Sequence, residues 1–409
     1  MSVLATYLLG RMLAVLGRNV FAVAVGWDLY ERTNSVVALG LVGLVQVLPV
    51  ILLSVPAGNV IDRRDAREVA FWSVLLMSAC GAAFALWAYQ AGPVWMAYVL
   101  LALHAVAIAF VSPAISTIVP RIVGPADRAK ANAYNATTYE IASIAGPAAA
   151  GALIALTHAA TVAYAAHAIG SLSFCVVIRW LIAGGHARSE AANKVPRTFK
   201  DVTMGISYVF RSKLLLPAMT LDLFAMLLAG ATALLPVFAK DILKVGPEGL
   251  GLLRAAPAVG ALLMALISTR MRPWRRPGVA LLVTVAAFGL ATIGFALSPT
   301  LPLALFFLAL TGVFDNISVV IRLTLEQSLT PDDLRGRVSA VHYVFIGMSN
   351  ELGELESGLT AAVFGPVGSV LLGGVATLFI VAWVRLQWPE LWRIKPLAQL
   401  TPEGPNYDV

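Results

Sequence analysis

The sequence predicts an all-α polytopic membrane protein, with twelve transmembrane helices in two pseudo-symmetric six-helix halves. Three observations carry this expectation. Of 409 residues, 59% are hydrophobic and only 12% charged, and mean hydropathy is +0.83; a soluble domain carries about 25% charged residues. Apolar runs of about 20 residues, enough to cross ~30 Å of hydrocarbon, recur along the chain. A stretch of the first half also returns in the second, at an offset of 207 residues.

The expected spans fall at residues 4–30, 36–57, 68–90, 94–116, 131–156, 161–182, 214–238, 249–270, 278–298, 301–323, 337–361 and 367–388. Apolar sequence begins at Val3 with no basic stretch before it, and no A-x-A site interrupts it before Trp27. The first span is therefore read as a retained helix and not a cleaved signal. Links such as QAGP after the third span and LSPTLP after the ninth are short enough to force antiparallel neighbours. Cys80 and Cys175 lie inside apolar runs and are expected as buried, unpaired thiols.

The longest polar stretch divides the chain into an N-terminal half (1–183), a linker (184–213), a C-terminal half (214–388) and a tail (389–409). Within the linker, TFKDVTMGISYVF places Phe199, Val202, Ile206, Val209 and Phe210 on one helical stripe. That pattern predicts an amphipathic helix on the inner membrane surface.

Charge sets the orientation. Of the 29 Lys and Arg, 23 fall in one set of loops together with the tail, including Arg63, Arg64, Arg67, Arg121, Arg128, Arg322 and Arg335. The opposite loops hold Arg32, Lys240 and Lys244. By the positive-inside rule both termini are cytoplasmic. The net charge of +7 thus reflects topology and lipid headgroups, and no nucleic-acid partner is expected.

The repeat aligns RAKANAYNATTYEIASIAGPAAAG (128–151) with RGRVSAVHYVFIGMSNELGELESG (335–358), matching Arg128 with Arg335, Gly146 with Gly353 and Gly151 with Gly358. A two-fold repeat of six-span units is the mark of a transporter that rocks about a central site.

After the second span, GNVIDRRDAREV resembles the G-x-x-x-D-R-x-G-x-R loop of the major facilitator superfamily at Gly58, Asp62, Arg63 and Arg67, with Asp65 where a second glycine is usual. In the fifth span GPAAAG resembles the superfamily's G-P-x-x-x-G antiporter motif at Gly146, Pro147 and Gly151. Further stretches resemble the bacterial enterobactin-exporter-like branch, the transmembrane secretion effectors. The resemblance runs over nearly the whole chain. It implies the major facilitator fold, a cavity lined by spans 1, 4, 7 and 10, a bacterial inner-membrane location and export. Read physically, Asp62 can accept from a neighbouring helix N-terminus, while Arg63 and Arg67 meet lipid phosphates or acids, so that the loop latches the inner side. Gly146 and Pro147 allow bending and close packing.

Ionisable residues inside spans are functional candidates by default. On the implied cavity helices these are Arg18 with Asn19, His104, Asp222, and Asp315 with Asn316; Glu140 lies on the fifth span. The stretch SNELGELESG adds Glu351, Glu354 and Glu356 to the eleventh. On a helical wheel Gly347, Glu351, Glu354 and Gly358 fall within about 60°, whereas Glu356 points about 160° from Glu354. Proton coupling is therefore expected from Glu351, Glu354, Asp222, Asp315, Glu140 and His104. Substrate contact is expected from Arg18, Asn19, His104, Asp222, Asp315 and Asn316.

The leading reading is a secondary active exporter that exchanges protons for a small drug-like molecule or siderophore by alternating access, acting as a monomer among membrane lipids. A lipid flippase of the same fold and a non-transporting receptor or assembly factor stay open beside it. No H-E-x-x-H, C-x-x-C or Gly-Lys phosphate loop is present, so neither an enzyme nor a cofactor nor a metal site is expected, and energy must come from an ion gradient.

Overall fold

The computed structural model describes residues 2–186, 199–270 and 274–394, with a few side chains, including those of Asp62, Phe199 and Val202, outside that description. Residues 187–198 of the expected linker and the tail beyond 394 also lie outside the described residues. Everything described is helix or short connection. Helix α1 (Val3–Thr33) starts from Ser2, whose hydroxyl accepts from the Ala5 amide at 3.3 Å. It stops at Asn34, in the left-handed conformation that asparagine tolerates. Ser35 caps α2 (Val36–Arg63) in the same way, and Asp65 caps α3 (Ala66–Tyr89). Then follow α4 (Val94–Ile122), α5 (Arg128–Thr157) and α6 (Thr161–Ala183). Prolines lie inside α2, α4 and α5, where a soluble helix would break but packed neighbours re-satisfy the freed carbonyls.

The second half begins with α7 (Phe199–Arg211) and α8 (Leu215–Ala229). A 3-10 turn (Ala231–Leu234), the one-turn α9 (Leu235–Val237) and a π-turn (Phe238–Ile242) extend α8 to a 28-residue span. Next come α10 (Gly246–Ser268), α11 (Pro277–Ala296), α12 (Leu301–Leu329), α13 (Asp332–Gln387) and α14 (Pro389–Trp392). Eleven described stretches are long and apolar enough to cross a membrane, and the last, Phe345–Gln387, has 43 residues. As one straight helix it would measure ~65 Å, about twice the hydrocarbon core. It is broken at Gly365, whose φ of 75° and ψ of 163° suit only glycine, with Pro366 following. Residues 345–364 and 366–387 are thereby two separate crossings in length.

Contacts group the chain into two compact units, Met1–Arg197 with Leu235–Ala255, and Thr198–Leu234 with Ala256–Val409. In the first, α1 packs on α5 and α6, α3 on α4 and α6, and α2 on α4. Tyr7, Val74, Ile118, Phe174 and Ile178 fill its core. A second, aromatic layer joins Phe21, Phe84, Trp87 and Tyr164 edge to face. In the second unit α13 packs on α7, α8 and α11, and α11 also on α12, around Leu221, Leu281, Ile321, Leu325 and Val338. Large apolar side chains such as Leu52, Trp72, Leu156, Val176, Leu266 and Phe379 point outward, an arrangement that water penalises and lipid does not.

Helix α7 fits the expected amphipathic element, but its stripe is divided. Val209 is buried in the protein core, whereas Phe210 is exposed. A Cβ on Gly205 would stand 2.8 Å from the Arg337 carbonyl, and the Tyr208 hydroxyl donates to Leu329 O at 2.7 Å. The helix is thus held against α12 and α13. Cys80 and Cys175 are both free and buried.

Candidate functional site

The second unit gathers the most concentrated buried charge. Asp315 and Arg322 are seven residues apart on α12, so they share one face within ~20°. Asp222 of α8 meets the same face. Its carboxylate is in close ion-pair contact with Arg322 Nη1, while Arg322 Nη2 lies 3.9 Å from Asp315 Oδ1. Side-chain exposure is 3% for Arg322, 8% for Asp222 and 33% for Asp315. One guanidinium is therefore shared by two acids at a cleft, one nearly buried and one a third exposed.

That cleft is lined by Asp222, Met226, Thr284, Phe288, Asp315 and Ser318, and has room for about one water molecule. Unpaired ions in such surroundings cost several kcal/mol each. The cluster thus favours states in which carboxylate charge and guanidinium charge balance. Beside it, the Oδ1 of Asn316 is buried without a hydrogen-bond partner.

Arg322 corrects the sequence expectation. The sequence counts it with the inner-loop cations, at the very end of the tenth span (301–323), but α12 continues to Leu329 and Arg322 is buried. The signal that could have found it is the seven-residue spacing to Asp315.

In the first unit, polar side chains join α1 to α5. Arg11 hydrogen-bonds Asn135, Arg18 donates to the Tyr139 hydroxyl at 3.3 Å, and Asn19 donates to Ala142 O at 3.4 Å. Glu140 sits half-buried next to Tyr139. His104 is placed apart from this seam, 1% exposed, with Nε2 3.1 Å from His167 Nε2 and the Phe21 ring 4.7 Å away. The pair lies in the aromatic interior of α1, α4 and α6. Sequence reasoning did not single out His167.

The glycines of the fifth span act by close approach. A Cβ on Gly146 would stand 2.5 Å from Asn19 Cβ and 3.0 Å from Leu16 O. On Gly151 it would stand 2.6 Å from Pro247 O and 3.1 Å from Gly251 Cα, and on Gly251 2.5 Å from Pro147 O. Helix α5 thus needs its small residues to seat both α1 and the start of α10. Gly58, by contrast, has open space around its Cβ direction.

In the α2–α3 loop Arg63 is exposed, whereas Arg67 is 4% exposed and forked onto Asp65 at 2.6–3.1 Å. Its remaining nitrogen donates to His186 O at 2.5 Å and Leu181 O at 3.3 Å. Arg67 therefore ties the loop to the end of α6, with Asp65 as its acid. Burial pushes the Asp65 carboxyl upward, but the hydrogen bonds and charge of Arg67 outweigh it and hold the group below the usual carboxylate range. The side chain of Asp62, the expected latch acid, lies outside the described residues.

On α13 the contact with α8 and Gly230 runs through Gly353 and Ser357. A Cβ on Gly353 would stand 2.7 Å from Met226 O and 3.0 Å from Leu227 O, and Ser357 donates to Gly230 O at 3.0 Å. Gly347 faces open space. The seam through residues 353 and 357 lies ~100° from the expected face of small residues. Glu351, Glu354 and Glu356 are each half-buried beside it. Among the described residues no group of three or more His, Cys, Asp or Glu forms a metal site.

Comparison with known proteins adds the following. The family model described as Major Facilitator Superfamily matches residues 7–353. Macrolide efflux protein A of Streptococcus pyogenes is 22% identical over 386 residues, covering 91% of this chain and 92% of that protein. The multidrug efflux pump Tap of Mycolicibacterium fortuitum is 26% identical, covering 90% and 88%. The enterobactin exporter EntS of Escherichia coli O81 is 25% identical, covering 95% and 92%. Among solved structures, a bacterial homologue of the human lysosomal transporter Spinster superposes with a TM-score of 0.73 at 15% identity, covering 96% of both chains.

Proposed function

Since the chain belongs to the major facilitator superfamily and is a membrane transporter with efflux proteins among its relatives, we propose that it is a proton-coupled exporter of a small molecule. The observation that carries this reading is Arg322 shared between Asp222 and Asp315 at a water-sized cleft. With both acids ionised, the cluster holds one negative charge in excess. A proton on either acid neutralises it and leaves Arg322 paired with the other. Proton binding and release thus change which acid the guanidinium holds. Each exchange of charge partners is worth several kcal/mol in a low dielectric, enough to bias a transport cycle.

The substrate class is a drug-like compound or a siderophore, by analogy with relatives named for macrolide, multidrug and enterobactin efflux. The Arg18–Tyr139 and Asn19–Ala142 seam with Glu140 offers further polar groups for it. The α2–α3 loop, with Gly58, Asp62, Arg63 and Arg67, serves as the conformational latch; Arg67 on Asp65 and α6 supports that role. Gly146, Pro147 and Gly151 support exporter-type packing of α5. In this reading the protein is a monomer of the bacterial inner membrane with both termini cytoplasmic, and its two halves flank the 184–213 linker.

Everted membrane vesicles from an efflux-deficient bacterium test it. Energised vesicles with the wild-type chain should take up a macrolide, a cationic dye or a siderophore, and the substrate should dissipate the pH gradient. Asp222→Asn and Asp315→Asn should abolish that dissipation at normal expression. Uptake that ignores the gradient would overturn proton coupling.

A further inference from the structure

The α12 face that carries Asp315 and Arg322 continues inward to Glu326, four residues past Arg322 and 2% exposed. Two side chains of α13 close on its carboxylate. The Ser339 hydroxyl donates to Oε1, and His342 Nδ1 lies against Oε2 in close contact. His342 is itself 4% exposed. Neither residue is among those singled out from the sequence: Glu326 falls beyond the expected end of its span, and nothing local marks His342, inside the expected span 337–361, as its partner.

We infer that Glu326 and His342 form a second proton-binding site of this transporter, on the inner side of the Asp222–Arg322–Asp315 cluster. The inference rests on the proton-coupled reading above. Its first support is charge balance. Along this face one cation, Arg322, stands among three carboxylates, those of Asp222, Asp315 and Glu326. With all ionised and His342 neutral, two negative charges stay uncompensated in a buried region, which hydrocarbon surroundings oppose strongly. One proton shared by Asp222 and Asp315 removes one of these charges. A second, held on His342 or on Glu326, removes the other.

The second support is geometry. An imidazole nitrogen against a carboxylate oxygen, with a hydroxyl on the other oxygen, can hold one proton on either partner with little rearrangement. With the proton on nitrogen the pair is an imidazolium–carboxylate ion pair; without it the imidazole keeps its N–H toward one side only, and the carboxylate charge is left to Arg322, one helical turn away. Proton loss at the inner site therefore recruits Arg322 away from the Asp222–Asp315 pair, and proton uptake returns it. Among the described residues, neighbouring polar and charged groups have contacts of their own. Asp222 of α8 already engages Arg322, and Arg335 of α13 donates to Gln327 O at 3.3 Å. Tyr208 of α7 donates its hydroxyl to Leu329 O.

The test uses the full chain in proteoliposomes, with a trapped pH dye and a substrate identified in vesicles. Two activities are compared: substrate-linked proton flux, and substrate counterflow without a pH gradient. His342→Gln keeps a hydrogen-bond donor for Glu326 but cannot titrate between about pH 5 and 8. It should lower substrate-linked proton flux roughly tenfold and flatten its pH profile, while counterflow persists. Glu326→Gln should do the same, and Glu326→Asp should restore part of the flux. If Glu326→Gln does not fold, His342→Gln decides alone. Wild-type flux and pH profile in His342→Gln would overturn the second site while leaving proton coupling in place. Absence of substrate-linked proton flux in the wild type would instead overturn the coupled reading, and this inference with it.

Discussion

Replacing Arg322 by methionine is the sharpest perturbation of the described cluster. The change keeps an unbranched apolar stem and removes the charge that Asp222 and Asp315 share. Losing one partner of a buried ion pair costs about 3–5 kcal/mol. Asp315, one third exposed at the cleft, can be solvated, whereas Asp222 at 8% cannot. The cost therefore falls mainly on a single carboxylate, at ~3 kcal/mol, the low end of that range.

Removing both charges, in Arg322→Met with Asp222→Asn, should recover most of the loss, because two neutral side chains then face each other. The assay is heat inactivation of detergent-solubilised protein followed by size-exclusion recovery. A double variant no more stable than the single would refute the account.

Three further outcomes follow from the geometry. Gly151→Val should destabilise by about 1–3 kcal/mol and lower folded yield, since its side chain meets backbone at Pro247 and Gly251; Gly58→Ala, with open space, should be tolerated in the same expression assay. Arg67→Ala should loosen the α2–α3 loop, read as faster protease cleavage after solubilisation. Because Asp65 is held below its ordinary value, the Asp65–Arg67 contribution is fully present above about pH 4 and is lost only as pH falls through the lower folded value, so the two proteins should converge in strong acid. Gly365→Ala should cost about 1–3 kcal/mol purely through backbone strain, as no atom lies within 4 Å of its Cβ direction; unchanged thermal recovery would contradict that.

What the sequence disclosed and what it hid differ for one physical reason. Hydropathy and glycine or proline punctuation are local, so the spans, the α7 helix and the small residues of α5 could all be read in advance. Whether a charge is exposed depends on what another helix brings to it. Arg322 looked like an inner-loop cation until α8 supplied Asp222 and α12 ran on to Leu329. His104 was visible as an ionisable residue, but its partner His167 comes from α6. Asp65 looked like a departure from a motif and proves to be the acid that holds Arg67. On α13 the contact with α8 and Gly230 runs through Gly353 and Ser357, which a helical wheel of one span cannot single out from its other small residues.

The break at Gly365 has a mechanical consequence. A corner of a single residue leaves no slack between 345–364 and 366–387, so the two rods form a stiff hairpin and behave as one lever. The Arg337 end of that lever is gripped by α7, where Gly205 lets the Arg337 backbone come close. Any tilt of the hairpin is thus delivered to the segment that enters the second unit. Lengthening the corner by a few flexible residues would loosen the tie between the rods, in which the Ser369 hydroxyl donates to Ser357 O at 3.2 Å.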